Sequence, residues 1–193
     1  MGEVEGQIRS EQLDAEREAR RRAALAQIRQ YPDPVLRMRG NDVAEGDDSV
    51  QALTERMSRL MQEARGVGLA APQIGVLRRV LVYQTSDEEP IVALVNPRVL
   101  ETSEERETSD EGCLSLGSAA VVVPVERPVA LTVEATSPSG EPLRIEAEGL
   151  EARVIQHELD HLDGVLIVDR TTPEGRREAL ARLRPQPILG PLA

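Results

Sequence analysis

The chain has 193 residues, a formal net charge of −11 and 40% hydrophobic residues, which fits one globular domain with a full core and argues against a protein that coats nucleic acid through its overall field. It has two Tyr and no Phe or Trp, so core and pockets are expected to be aliphatic. No apolar run is long enough to cross a bilayer, the charged N-terminus lacks a signal-peptide core, and the single cysteine, Cys113, excludes an internal disulfide, so a cytoplasmic location is expected.

In chain order, residues 2–24 mix Glu and Arg and read as a solvated, partly helical arm, setting off 1–24 as an N-terminal extension. Tyr31-Pro32-Asp33-Pro34 stops any helix. From Asp48 to Arg65 the residues Val50, Leu53, Met57, Leu60, Met61 and Ala64 recur at helical spacing, with Asp47, Asp48 or Ser49 to cap the start. Gly66-Val67-Gly68 ends that helix. Short β-rich runs follow at Arg79–Tyr83, Ile91–Val95, Ala120–Val125, Val129–Thr136 and Leu143–Glu148, and Ser137-Pro138-Ser139-Gly140 predicts a hairpin between the last two. A helix over Leu150–Leu162 stops at Gly164. Val165–Val168 reads as one more strand, and Pro173–Leu183 as a short helix opened by its proline. The main domain is expected over 25–184, with a Pro-rich tail over 185–193. Strands first and a late helix predict an α+β fold of mostly antiparallel strands around a central helix.

That late helix carries the chemistry. Both histidines of the chain lie in His157-Glu158-Leu159-Asp160-His161. Residues four apart share a helix face, so two imidazoles can hold one metal ion, and Glu158 can reach a water beside it. A hydrolytic site needs a third protein ligand and an open position. Two sources compete: Glu174 or Glu178 downstream, as in a metallopeptidase, or Cys113 in Glu111-Gly112-Cys113-Leu114-Ser115.

Three separated stretches resemble the peptide deformylases: Gly66-Val67-Gly68-Leu69-Ala70-Ala71-Pro72-Gln73-Ile74-Gly75, then Glu111-Gly112-Cys113-Leu114-Ser115, then Gln156-His157-Glu158-Leu159-Asp160-His161-Leu162-Asp163-Gly164. Their order and spacing match as well, from about Ile28 to Arg170. The resemblance implies that Cys113, His157 and His161 bind one divalent metal ion, that Glu158 is the general acid/base, and that the Gln73 side chain and the Leu114 backbone N–H form an oxyanion hole. It implies that the backbone of Val67, Gly68 and Leu69 pairs with an extended substrate, with Gly112 allowing close approach. It also implies that Val67, Leu150, Val154 and the stem of Arg153 wall the side-chain pocket. The implied substrates are N-formylmethionyl nascent peptides, and the implied ion is ferrous iron, which zinc, nickel or cobalt would replace in purified protein.

One departure stands out. Most relatives continue from Glu-Gly-Cys-Leu-Ser with an apolar residue and Pro-Gly, whereas this chain reads Leu116-Gly117-Ser118-Ala119. Altered substrate preference or rate is the expectation there. A second reading, from another class, is a catalytically weak homologue that binds the ribosome through Arg170–Arg184, which holds five Arg against two Glu. Neither DNA nor a membrane is expected as a partner.

Overall fold

The computed structural model describes the backbone of residues 2–117 and 120–183 and the side chains from Leu13 onward. Four helices and seven strands are described: α1 (Gly2–Leu25), α2 (Ser49–Glu63), β1 (Gly68–Ala70), β2 (Val80–Tyr83), β3 (Val92–Thr102), β4 (Arg106–Gly112), β5 (Val122–Pro128), β6 (Ala130–Thr136), β7 (Pro142–Glu148), α3 (Gly149–Leu162) and α4 (Pro173–Leu183). The tail 185–193 and the rim residues Ser118 and Ala119 lie outside the described residues.

Helix α2 forms where the apolar spacing predicts it. Val50, Thr54, Met57, Leu60 and Met61 make its buried stripe. Its start is held by Asp47, whose Oδ1 accepts from the Ser49 N–H at 3.0 Å. Its end is a left-handed residue, Arg65 (φ 59°), followed by the glycine run that leads into β1.

The strands form two antiparallel sheets. One runs β1-β2-β3-β6-β7, and the other is the pair β4-β5. The hairpin expected around residues 137–140 joins β6 to β7, with Val133 opposite Ile145. Helix α3 lies between the sheets. Ala152, Val154, Ile155, Leu159 and Leu162 pack into a cluster with Leu81, Leu94, Leu131 and Val133 of the larger sheet, while the opposite face carries buried Glu158, Asp160 and His161. The α+β architecture around a central helix is therefore present. Placing one apolar face against the large sheet leaves the polar face of α3 turned towards β4-β5. A second cluster, with Val123, Val125, Leu166 and Ala179, closes beneath Cys113.

Three strand assignments differ from the sequence reading, and the first is the short β1, Gly68–Ala70, which is not among the expected runs. Val165–Val168 is not a strand: Ile167–Asp169 is a 3-10 turn. Asp169 Oδ2 accepts from the Leu166 N–H at 3.0 Å and closes that turn. Three successive apolar residues buried together suit a turn inserted into the core as well as they suit a buried strand, and hydrophobicity alone does not separate them. Strand β4 was not expected because Arg-Glu-Thr-Ser-Asp-Glu-Gly has no apolar alternation, with Glu111 its one buried residue.

Gly164 ends α3 in a left-handed conformation (φ +73°), and a Cβ there would lie 2.6 Å from the Arg37 carbonyl oxygen. Gly164→Ala is expected to lower stability by about 2–3 kcal/mol through positive φ and the backbone clash. Urea unfolding checks this: the midpoint should fall at constant slope, and an unchanged midpoint would mean that the approach to Arg37 does not constrain the helix end.

Candidate metal centre and its pocket

His157 and His161 stand one turn apart on α3, with ring centroids 5.0 Å from each other. Cys113 follows the end of β4 and brings its Sγ to 3.2 Å from His161 Nε2. One ligand atom from each of the three residues lies within 4.8 Å of the others. Glu174, the competing ligand, is exposed on α4 and pairs with Arg177 at 3.0 Å. Neither Glu174 nor Glu178 belongs to the cluster.

The surroundings orient these groups. His157 Nδ1 bonds Glu111 Oε2 at 3.0 Å, which leaves the other ring nitrogen for the centre. Glu111 is itself gripped on both oxygens by Arg127, whose Nε and Nη2 donate at 2.6 and 2.9 Å, and Arg153 Nη1 donates to it at 2.8 Å. The remaining Arg127 nitrogen donates to Asp160 Oδ2 at 2.9 Å, and Arg170 Nη2 donates to Asp160 Oδ1 at 2.5 Å. This network ties the end of β4, the middle of β5 and the polar face of α3 into one unit.

Charge in the centre is uneven. Burial alone would lower His157, but hydrogen bonds with Cys113 and Glu111 and the charge of Glu158 hold it well above the ordinary imidazole range. Burial, together with positive His157, pushes His161 well below that range. Burial favours the protonated form of Glu111, yet bonds from His157 and Arg127 outweigh it and hold the carboxyl at about 2. Burial, chiefly, pushes Glu158 up to about 7.

The residues fit a divalent transition ion. One thiol and two imidazoles converge within the reach of a single ion. The buried atoms His161 Nδ1 and Glu158 Oε2 have no hydrogen-bond partner among the described residues. A cation would also take the place of the proton that the cluster otherwise holds on His157.

A pocket of about 260 Å³ opens onto this centre. Its wall includes Cys113, His157, Glu158, Gln73 and Leu114, five residues named from the sequence. His161 sits behind the wall, 2% exposed. Val67, Gly68, Gly112, Leu150, Val154 and Arg153 also line the pocket. Leu69 does not: its side chain is fully buried in the core, so only its backbone faces the β1 edge. That edge is open, since β1 is the terminal strand of the larger sheet. Gln73 is fixed by its own carbonyl end, whose Oε1 accepts from the Ala70 N–H at 2.7 Å. This turns Nε2 towards Ser115 Oγ (3.3 Å) and Cys113 Sγ (3.8 Å). Gly68 is required by space: a Cβ there would lie 2.4 Å from Glu158 Oε1. In the departed rim, Leu116 is fully buried and Gly117 takes φ +64°.

The sequence reading gave no role to Glu111, Arg127 or Asp160. One signal was available. Along β5, Val123, Val125 and Arg127 are buried while Val122, Pro124 and Glu126 are exposed. A guanidinium on the inward side of such an alternation marks a buried ion pair.

Similarity to known proteins in sequence and fold places the chain among metal-dependent amide hydrolases. Residues 25–177 match the sequence profile of the polypeptide deformylases, and the chain belongs to that family. A peptide deformylase of Natranaerobius thermophilus is 45% identical over 155 residues, covering 80% of this chain and 97% of that protein. One from Acidothermus cellulolyticus is 44% identical over 162 residues, covering 83% and 87%. Among solved structures, a peptide deformylase of Synechococcus elongatus in complex with actinonin superposes with a TM-score of 0.76 at 38% identity, covering 80% of this chain and 85% of that one. The Thermotoga maritima peptide deformylase gives 0.71 at 43% identity, covering 76% and 97%. These findings give no support to the metallopeptidase reading.

Because Glu111 orients His157, Glu111→Gln keeps the shape but weakens that hold, and metal affinity is expected to fall by about 10-fold or more. Competition against a chelator of known affinity measures it. Equal affinity in the two proteins would remove Glu111 from the design of the centre.

Proposed function

We propose that the chain hydrolyses the formyl amide of N-formylmethionyl peptides, releasing formate and a free amino terminus, with Cys113, His157 and His161 holding one divalent ion. The observation that carries this reading is the convergence of the three ligand atoms within 4.8 Å on a pocket that also presents Glu158, Gln73 and Leu114. When bound, the ion supplies Lewis-acid chemistry, polarising a carbonyl and acidifying water.

The chain's own groups supply the rest. Glu158 takes a proton from the attacking water as it adds to the formyl carbon, and later returns a proton to the leaving amine. Its unpartnered Oε2 leaves an acceptor ready for that exchange, and Gly68 keeps the space in which the carboxylate sits. Charge developing on the formyl oxygen is met by the Gln73 amide and the Leu114 N–H. Such a donor contributes about 3 kcal/mol to lowering the barrier, and the Ala70–Gln73 bond pre-orients the amide so that no reorganisation is needed. The extended peptide pairs with the open β1 edge at Val67–Leu69. Its methionine enters the aliphatic pocket between Val67, Leu150 and Val154, where a flexible thioether suits irregular walls.

A soft thiolate beside two imidazoles accommodates ferrous iron, zinc, nickel or cobalt. Ferrous iron is the proposed native ion, at the cost of oxygen sensitivity, and the oxidisable thiol agrees with a cytoplasmic site of action. Among the described residues no helix is long and apolar enough to cross a membrane. A purely ribosome-binding role is the weaker reading. Of the five arginines in Arg170–Arg184, Arg170 is bound to Asp160, Arg176 to Asp169 and Arg177 to Glu174, which neutralises much of the patch.

The test is formate release from formyl-Met-Ala by protein purified anaerobically with ferrous iron. Glu158→Ala should retain its ion and lose about 10³-fold in kcat. No formate from a fully metallated wild type would overturn the assignment. Gly68→Ala, which crowds Glu158 without touching a ligand, is expected to keep its metal and lose about 100-fold in kcat/KM. Full activity in that variant would mean that the Glu158 position observed here is not the working one.

A further inference from the structure

Helix α1 ends at Leu25, where the family match begins, yet it reaches the mouth of the pocket. Glu18 lies 3.5 Å from Arg21 and 3.8 Å from Arg65. Arg65 lines the same pocket as Cys113, His157 and Glu158. Its backbone fixes it there: φ is 59°, its N–H donates to the Gln62 carbonyl at 3.0 Å, and the next N–H, of Gly66, donates to the Met61 carbonyl at 2.9 Å.

The pair is loose. Side-chain exposure is 60% for Arg65 and 45% for Glu18, and 3.8 Å exceeds hydrogen-bond distance. No other carboxylate among the described residues comes within 4.0 Å of Arg65, and Glu18 is shared with Arg21. A guanidinium at the mouth of a peptide site, attracted to a carboxylate without being engaged by it, has its planar fork available for an incoming carboxylate. The peptide is taken to enter with its formyl group at Glu158 and to run along the β1 edge towards Arg65. Arg65 precedes Gly68, which abuts Glu158, by three residues, and an extended chain on the β1 edge advances about 3.4 Å per residue.

Resting on the deformylase reading, we propose that Arg65 is a specificity-determining residue that favours an acidic side chain two or three residues beyond the formylmethionine. Glu18 acts through Arg65, competing with the substrate for its guanidinium. The added helix thereby shapes which nascent chains are processed fastest. Asp110 of β4 also lines the pocket, so the mouth carries both signs of charge. The carboxylate already drawn to Arg65 is the reason for assigning it an acidic partner.

The experiment compares kcat/KM of the metal-loaded full chain on C-terminally amidated formyl-Met-Ala-Glu and formyl-Met-Ala-Ala-Glu with that on the matching Gln and Lys peptides. At least one Glu peptide is expected to exceed its Gln counterpart by about two- to five-fold, the range of an exposed charge pair, mainly through KM. That ratio should shrink as salt is raised. It should approach one in Arg65→Gln and rise in Glu18→Gln, where the competitor is gone. A ratio unchanged in Arg65→Gln, a ratio that fails to rise in Glu18→Gln, or a wild type that prefers the Lys peptides would overturn the proposal. Amidated formyl-Met-Ala separates the two levels: formate from it with no charge preference sinks only the role of Arg65, whereas no formate from any peptide sinks the deformylase reading beneath it.

Discussion

The Glu111 carboxylate, 6% exposed and held by two guanidiniums and an imidazole, is the constraint on which the centre depends. It stands at the end of β4, two residues before Cys113. Arg127 bonds it from β5, and Arg153 and His157 bond it from α3. A buried carboxylate is costly unless charge and hydrogen bonds compensate it. Compensation here requires the small sheet and the central helix to meet in one register, and that same register delivers the Cys113 thiol to the two imidazoles. Asp160 repeats the device one helical turn on, taking the remaining Arg127 nitrogen and the Arg170 guanidinium. Losing one partner of such a pair typically costs 3–5 kcal/mol, so the network binds stability and ligand placement together.

The rest of the fold serves this arrangement. The apolar face of α3 is absorbed by the five-stranded sheet, so its polar face can be given to the ligands, to Glu158 and to the ion pairs. The sheet also ends in β1, which leaves a free edge beside the pocket. Gly68 on that edge is small because Glu158 occupies the space above it. Substrate backbone, reacting bond and proton carrier are brought together by one short strand and one helix.

Much of this was legible in the sequence for identifiable reasons. The stripe from Val50 to Met61 and the run from Leu150 to Gly164 gave α2 and α3 within a residue or two because both are long and strongly periodic. The spacing of His157 and His161 gave two ligands, but spacing alone left Cys113 in competition with Glu174 and Glu178; similarity to known deformylases favoured the thiol. What stayed hidden was held by polar contacts. Strand β4 carries no apolar pattern, and Glu111 makes sense inside the fold only once Arg127, 16 residues later, is seen opposite it. The 3-10 turn at Ile167–Asp169 depends on one carboxylate bonding one backbone N–H, which composition does not reveal. The contact of Glu18 with Arg65 spans 47 positions and carries no periodic signal.

The claim that everything else serves is that one thiolate and two imidazoles hold a single ion. X-ray absorption at the metal edge of the zinc-loaded protein tests it most directly. The expected first shell is one sulfur at about 2.3 Å, two imidazole nitrogens at about 2.0–2.1 Å, and a further light atom completing four-coordination. A spectrum without sulfur in the first shell, or one unaltered in Cys113→Ser, would contradict it.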